Sequence, residues 1–177
     1  MYKSFYFFIL ISISIFFGCH TIAQSIQTDN DFRHLIGQTF KVGADPDSLN
    51  NYQYTGGSVI TPLENRNMVI ITEYRLNQNI LITFSRMNNT DEEIFTIEDV
   101  LHIKDLQPGW EFKSGLCRQD QAEDASILAI VNPEQKEYSN DVKKAWRFTW
   151  QTMKLEEIPA KGVDCLNEGF DLSSLRK

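Results

Sequence analysis

The chain has 177 residues, with 17 Lys and Arg against 24 Asp and Glu, which gives a net charge of −7 and an isoelectric point near 4.9. This acidic balance argues against nucleic acid or an anionic membrane surface as the main partner, because both bind basic surfaces. A hydrophobic content of 42% with three Trp predicts a folded, globular protein.

Residues 1–23 have the pattern of a secretory signal peptide. Lys3 precedes an apolar run of thirteen residues, 5–17, and the small residues Thr21 and Ala23 mark the cleavage site. A membrane-spanning helix needs about 20 apolar residues, so this run predicts export without a transmembrane anchor. We therefore expect cleavage after Ala23 and a periplasmic or secreted product.

Cys19 offers an alternative processing route, in which the protein becomes a lipoprotein. Gly18 precedes this Cys, as in a lipid-attachment site. Such a site normally has a Leu-like residue three positions before the Cys, and Phe16 stands there. The sequence of this region therefore favours the soluble product over lipid attachment at Cys19.

Residues 24–177 have the length of a single globular domain. They contain 16 Lys and Arg against 24 Asp and Glu, a net charge of −8. The spacing of apolar residues predicts a short helix around residues 32–36 that ends at Gly37. Residues 42–57 are rich in Asp, Asn, Ser, Pro and Gly, which predicts an extended loop.

Several strands follow this loop. Residues 68–76 and 80–85 are β-branched and aromatic runs joined by a short polar turn, which is typical of a hairpin. Residues 94–103 and 110–117 predict two further strands. The continuous apolar run at residues 126–131 has strand length as well.

Residues 138–150 fit two periodicities. The apolar residues fall at helical spacing, as a stripe of Tyr138, Val142, Ala145, Trp146 and Trp150. Some of the same residues also alternate with polar ones, as they would in a strand. The alternation places Trp146, Phe148 and Trp150 on one side. Capping residues favour a helix over residues 140–148, followed by a strand over 153–158. Together these elements predict an α+β fold that consists mostly of antiparallel sheet, with one or two short helices.

Cys117 and Cys165 are the two cysteines that remain after residue 23. In an oxidising compartment such a pair predicts a disulfide. A loop of 48 residues closed in this way stabilises a fold by about 4 kcal/mol in the chain-entropy model. A metal site or a reactive thiol is disfavoured, since there is no Cys-x-x-Cys and only His34 and His102 could add soft ligands.

No motif predicts a metal, a cofactor or a catalytic residue. Residues 45–51 resemble a calcium loop, but Leu49, Asn50 and Gly56 stand at its fifth, sixth and twelfth positions, where an oxygen ligand, Gly and Glu are needed. The Gly56-Gly57 pair lacks the Lys and the following helix of a phosphate loop.

Two groups of side chains remain as candidate sites. Trp110 follows a Pro-Gly turn, so it is the Trp best placed to be exposed and to bind a partner, whereas Trp146 and Trp150 are expected in the core. Glu73 and Glu98 fall in predicted strands and could form the carboxylate pair of a glycoside hydrolase.

The C-terminal third resembles uncharacterised small exported proteins of Bacteroidota-type bacteria. The resemblance is carried by the segments Gly115-Leu116-Cys117-Arg118, Lys143-Lys144-Ala145-Trp146-Arg147, Leu155-Glu156-Glu157-Ile158 and Gly162-Val163-Asp164-Cys165-Leu166-Asn167-Glu168-Gly169. It implies a bacterial envelope setting and no activity.

The leading hypothesis is a non-enzymatic exported protein of the bacterial envelope that binds another protein, for instance as an inhibitor or immunity-type factor. A carboxylate-dependent carbohydrate-active hydrolase and a structural envelope component are the alternatives. A flat sheet or a protruding loop would favour the binding protein, whereas a concave face lined with Trp and carboxylates would favour the hydrolase.

Overall fold

A computed structural model describes residues 27–29, 31–41, 46, 49, 51–60, 68–89 and 93–170. The predicted signal peptide, its cleavage site and Cys19 lie outside these residues, as does most of the calcium-like loop. Within the described ranges, no helix is long and apolar enough to cross a membrane.

Sheet A contains the first six strands, β1 (Gln27–Asp29), β2 (Thr39–Lys41), β3 (Gln53–Val59), β4 (Val69–Leu76), β5 (Asn79–Asn89) and β6 (Ile94–Lys104). Sheet B contains β7 (Glu111–Ser114), β10 (Ile127–Val131), β12 (Val142–Thr149) and β13 (Lys154–Ile158). Sheet C contains β8 (Cys117–Gln119), β9 (Ala122–Glu123), β11 (Tyr138–Ser139) and β14 (Val163–Leu166).

All described strand pairs are antiparallel. Sheet A has the order β1-β6-β5-β4-β3, and β2 pairs with the same edge of β6 as β1. Sheet B has the order β13-β12-β10-β7, and sheet C has the order β11-β14-β8-β9. The predicted hairpin is confirmed as β4 and β5, which turn at Asn77 and Gln78 with Leu76 opposite Asn79.

Sheet B is the middle layer, because β10 is buried on both faces. Leu128 and Ile130 join the core between sheets A and B, whereas Ile127, Ala129 and Val131 join the core between sheets B and C. A strand covered on both faces reads as a continuous apolar run, which explains why residues 126–131 do not alternate.

The core between sheets A and B draws on both sheets and is the largest of the described clusters. Phe84 of β5 stacks on Phe148 of β12, with ring centroids 5.3 Å apart. Its buried members are Ile60, Val69, Ile71, Ile80, Ile82, Phe84, Leu101, Ile103, Leu106, Phe112, Leu128, Ile130, Trp146 and Phe148.

The predicted helix over residues 140–148 is wrong, because this segment is strand β12. Trp146 and Phe148 face sheet A, while Ala145 and Val142 pack toward sheet C. Burial on both faces of one strand spreads apolar residues at three- and four-residue spacings, and this imitates a helical stripe. The alternation of Trp146, Phe148 and Trp150 was the pattern that indicated the strand.

The predicted helix around residues 32–36 is a single 3-10 turn, η1 (Arg33–Leu35). Leu35 is fully buried against the outer face of sheet A, with Leu49, Tyr74, Leu81 and Ile97. The α+β assignment is therefore wrong: the described residues form an almost entirely β structure of antiparallel sheets, with only short 3-10 segments such as η1. The prediction failed because a few apolar residues anchor this turn to a sheet without extending it into a helix.

The predicted strand 110–117 is two strands in different sheets. β7 ends at Ser114 and pairs with β10, whereas β8 begins at Cys117 and pairs with β14. Gly115 between them has φ of 70°, a left-handed conformation that glycine adopts without strain. The chain can therefore change sheets at this residue.

The predicted disulfide is confirmed. Cys117 of β8 and Cys165 of β14 are directly opposite partners in sheet C and are bonded to each other. Both are buried in the core between sheets B and C. The bond therefore ties the two ends of a 48-residue segment that contains most of sheet B.

Candidate binding surface

Three of the described edge strands are longer than three residues, and they differ in charge. β13 carries Lys154, Glu156 and Glu157, and β7 carries Glu111 and Lys113. β3, with seven residues, has neither a charged side chain nor a proline. Charges and prolines are common devices that keep an edge strand from pairing with another chain. The edge of sheet A at β3 lacks both of these devices.

β3 also exposes large apolar side chains. Tyr54 is 60% exposed and Val59 is 58% exposed, and these two are the exposed large hydrophobic residues of the described chain. They flank a shallow hollow of about 180 Å³ that Gly57, Ile70 and Thr72 also line. An apolar side chain of a partner could be buried there.

Gly57 is required by the packing of β3 on β4. A Cβ atom at this position would lie 2.6 Å from the backbone oxygen of Ile71, which cannot move aside easily. A Cβ atom at Gly56 would meet no other atom within 4 Å. The register of β3 on β4 shifts between Tyr54 and Gly56, so a bulge precedes the close contact.

β3 and β7 lie on the same side of the molecule. A Cβ atom at Gly115, just after β7, would be 3.7 Å from the hydroxyl oxygen of Ser58. That hydroxyl is buried and has no hydrogen-bond partner among the described residues. The outer edges of sheets A and B therefore form one continuous flank.

Trp110, the binding residue predicted from the sequence, lies immediately before β7. Its side chain is half-buried against the core between sheets A and B, and Lys143 Nζ is 5.8 Å from its ring centroid. It is more covered than an isolated, protruding Trp would be. The structure supplies more exposed candidates at Tyr54 and Val59.

Glu73 and Glu98 are not brought together. Glu73 is on β4 and Glu98 is on β6, with β5 between them. Each carboxylate is bound to its own arginine: Glu73 to Arg75 at 2.6 Å, and Glu98 to Arg86 at 2.7 Å. This arrangement provides ion pairs at the sheet surface and does not resemble a hydrolytic carboxylate pair.

His102 is buried on the outer face of sheet A. Its Nε2 is 2.9 Å from the Tyr52 hydroxyl, and the Phe32 ring packs edge-on against it. Burial lowers the pKa of His102, and the carboxylate of Asp31 opposes this shift. The contact between Tyr52 and His102 connects β6 with the segment that precedes β3, and it has the features of a structural contact.

A second concave region, which we call the β6 groove, lies on the opposite flank of the sandwich. β1 pairs with β6 at residues 102–104 and β2 pairs at residues 94–96, with η1 between them. No described strand pairs with this edge of β6 at residues 98–101. The resulting groove has a volume of about 480 Å³.

Two of these features were not predicted from the sequence. The loop predicted over residues 42–57 covered most of β3, although Tyr54 and Val59 are strand-forming residues on either side of the glycines. The β6 groove is built from four distant segments, which no local pattern reports. No group of metal-ligating side chains is found in the described ranges.

The comparisons with protein-family models, with curated proteins and with solved structures give no match.

Proposed function

We propose that the protein is an exported binding module that captures an extended segment of another protein as an additional strand beside β3. The observation that carries this proposal is the uncharged seven-residue edge of β3 with Tyr54 and Val59 exposed. Main-chain hydrogen bonds would supply affinity in such a complex, and the hollow over Gly57 would select an apolar side chain.

The partner is a different protein with a neutral or basic segment. Each copy of this chain has a net charge of −7 before processing, and like-charged copies repel one another. Because β3 lacks protective charge although its copies repel one another, its edge is better suited to binding a partner of opposite charge than to self-association. An enzyme or toxin that is blocked by this contact would make the protein an inhibitor or immunity-type factor.

The setting of this activity is the periplasm or the cell exterior. The signal-peptide pattern of residues 1–23 supports export, and the Cys117–Cys165 bond is of the kind that persists in oxidising compartments. The resemblance to exported Bacteroidota-type proteins agrees with this setting. Lipid attachment at Cys19 would keep the same binding surface and change its location.

Site-specific photo-crosslinking in the native host tests the proposal. A benzophenone amino acid replaces Tyr54, and we expect ultraviolet light to join it to one extended segment of a different protein, identified by mass spectrometry. The same amino acid at Glu156, on the charged edge β13, should give no such product. A Val59→Glu change should remove the Tyr54 product, because it places a carboxylate beside the apolar hollow.

The control for that change is Gln151→Glu, which adds the same charge at an exposed turn and should leave the product intact. Circular dichroism should show all variants folded. A product between two copies of this chain, no product at all, or a product that survives Val59→Glu would each contradict the proposal.

A further inference from the structure

We propose that the β6 groove binds a small carboxylate with an apolar body, which is a site separate from the β3 edge. The ligand would place its anionic group on Arg33 and its apolar part against β6 and β13. This inference does not depend on the β3 proposal, because the two surfaces lie on opposite flanks of the sandwich.

Apolar and polar side chains line the groove in similar measure. Val100 and Leu101 of β6 supply apolar lining, together with the buried Trp146 of β12. Ile36 and Leu155 of β13 complete the apolar part, and His102 lies among the polar residues. A volume of about 480 Å³ is within the range of small-molecule sites, roughly 300–1,000 Å³.

The wall formed by β13 is held in place by polar contacts. The carboxylate of Asp99 accepts a hydrogen bond from the Leu155 backbone at 2.8 Å. Lys154 Nζ donates to the Glu98 backbone oxygen at 3.0 Å and lies 3.7 Å from Asp99. These contacts fix the groove before any ligand binds, which reduces the cost of ordering on binding.

The charges that line the groove leave one cation unpaired. Lys154 pairs with Asp99, and Glu157 pairs with Lys144 at 3.4 Å. In the described part of the chain the guanidinium of Arg33 has no ion pair and no hydrogen bond, and the side chain is exposed. An arginine in this state offers two parallel donors that match a carboxylate.

A carboxylate fits this arrangement better than a phosphate. One unpaired guanidinium balances a single negative charge, whereas a dianion would also approach the acidic side chains of Asp99 and Glu157. The apolar part of the lining adds binding energy for a hydrocarbon or aromatic body. Such a carboxylate could belong to a free organic acid or to the C-terminal residue of a peptide.

Titration of the oxidised protein, followed by two-dimensional NMR, tests the site. The probe is N-acetyl-phenylalanine, and we expect its addition to shift the backbone signals of Val100, Leu101 and Leu155. The uncharged N-acetyl-phenylalanine amide should bind at least about tenfold more weakly, because it lacks the carboxylate that pairs with Arg33. Acetyl-Ala-Ala-Phe with a free C-terminus distinguishes a peptide end from a free acid by its relative affinity.

Matched variants separate the role of Arg33 from a general charge effect. Arg33→Gln should weaken the acid about tenfold and leave the amide unchanged. Lys161→Gln removes the same charge at an exposed turn away from the groove and should have no effect. Equal binding of acid and amide, no shift at the groove residues, or full binding by Arg33→Gln would overturn the proposal.

Discussion

At the scale of single residues, the two adjacent glycines of β3 differ in whether a side chain would fit at their position. A side chain at Gly57 would meet the Ile71 backbone oxygen at 2.6 Å, whereas one at Gly56 would meet nothing within 4 Å. Overpacking against a backbone atom typically costs about 1–3 kcal/mol. The contrast tests the register in which β3 lies on β4.

We expect Gly57→Ala to lower the free energy of unfolding by about 1–3 kcal/mol in chemical denaturation. Gly56→Ala should change it by less than about 0.5 kcal/mol, or raise it slightly, since alanine restricts the unfolded chain. Equal losses from both substitutions would show that β3 does not pack on β4 as described.

His102 provides a pH-dependent contribution to stability. Burial lowers its pKa in the folded protein, so the unfolded chain binds the proton more readily. The free energy of unfolding should therefore fall as the pH falls below about 6.5, the ordinary histidine value, toward the lowered native pKa. Above the ordinary value this stabilisation is fully present.

The measurement is urea denaturation of the wild type and of His102→Gln between pH 7.5 and 5, values that bracket the ordinary histidine pKa of about 6.5. We expect a shallower pH dependence for the variant. An identical slope in wild type and His102→Gln would show that His102 does not titrate with unfolding.

At the scale of elements, the disulfide links β8 and β14 across sheet C. Its loop spans 48 residues and includes β10, β12 and β13, so it restricts much of the unfolded chain. Replacing both Cys117 and Cys165 by Ala should lower the free energy of unfolding by about 4 kcal/mol. Denaturation of the oxidised and double-Ala proteins checks this, and unchanged stability would contradict it.

Local patterns predicted those elements whose structure depends on neighbouring residues. The β4–β5 hairpin was predicted correctly because two apolar runs and a short polar turn lie next to each other in the sequence. β12 was mistaken for a helix because sheets A and C bury its opposite faces, a tertiary fact that the sequence window does not contain. Disulfide pairing was predictable because two cysteines permit one connection.

At the scale of the whole molecule, three layers of sheet leave two different flanks. On one flank, β3 and β7 end sheets A and B, and β3 is the uncharged edge. On the other, β6 and β13 enclose the β6 groove, whose residues come from positions 33 to 157. The sequence placed most of β3 in an extended loop and did not show it as a sheet edge. The β6 groove was not predicted, because it is created by the way distant strands stack.

The most direct test of the central claim is hydrogen–deuterium exchange of the protein alone and in complex with the partner identified by crosslinking. If an extended segment adds to sheet A, the amides of β3 (Gln53–Val59) should exchange more slowly in the complex, because the partner's carbonyls bind edge N–H groups. The amides of β7 and β13 should be unchanged. Protection at β13 or across the β6 groove, with β3 exchanging as in the free protein, would contradict the account.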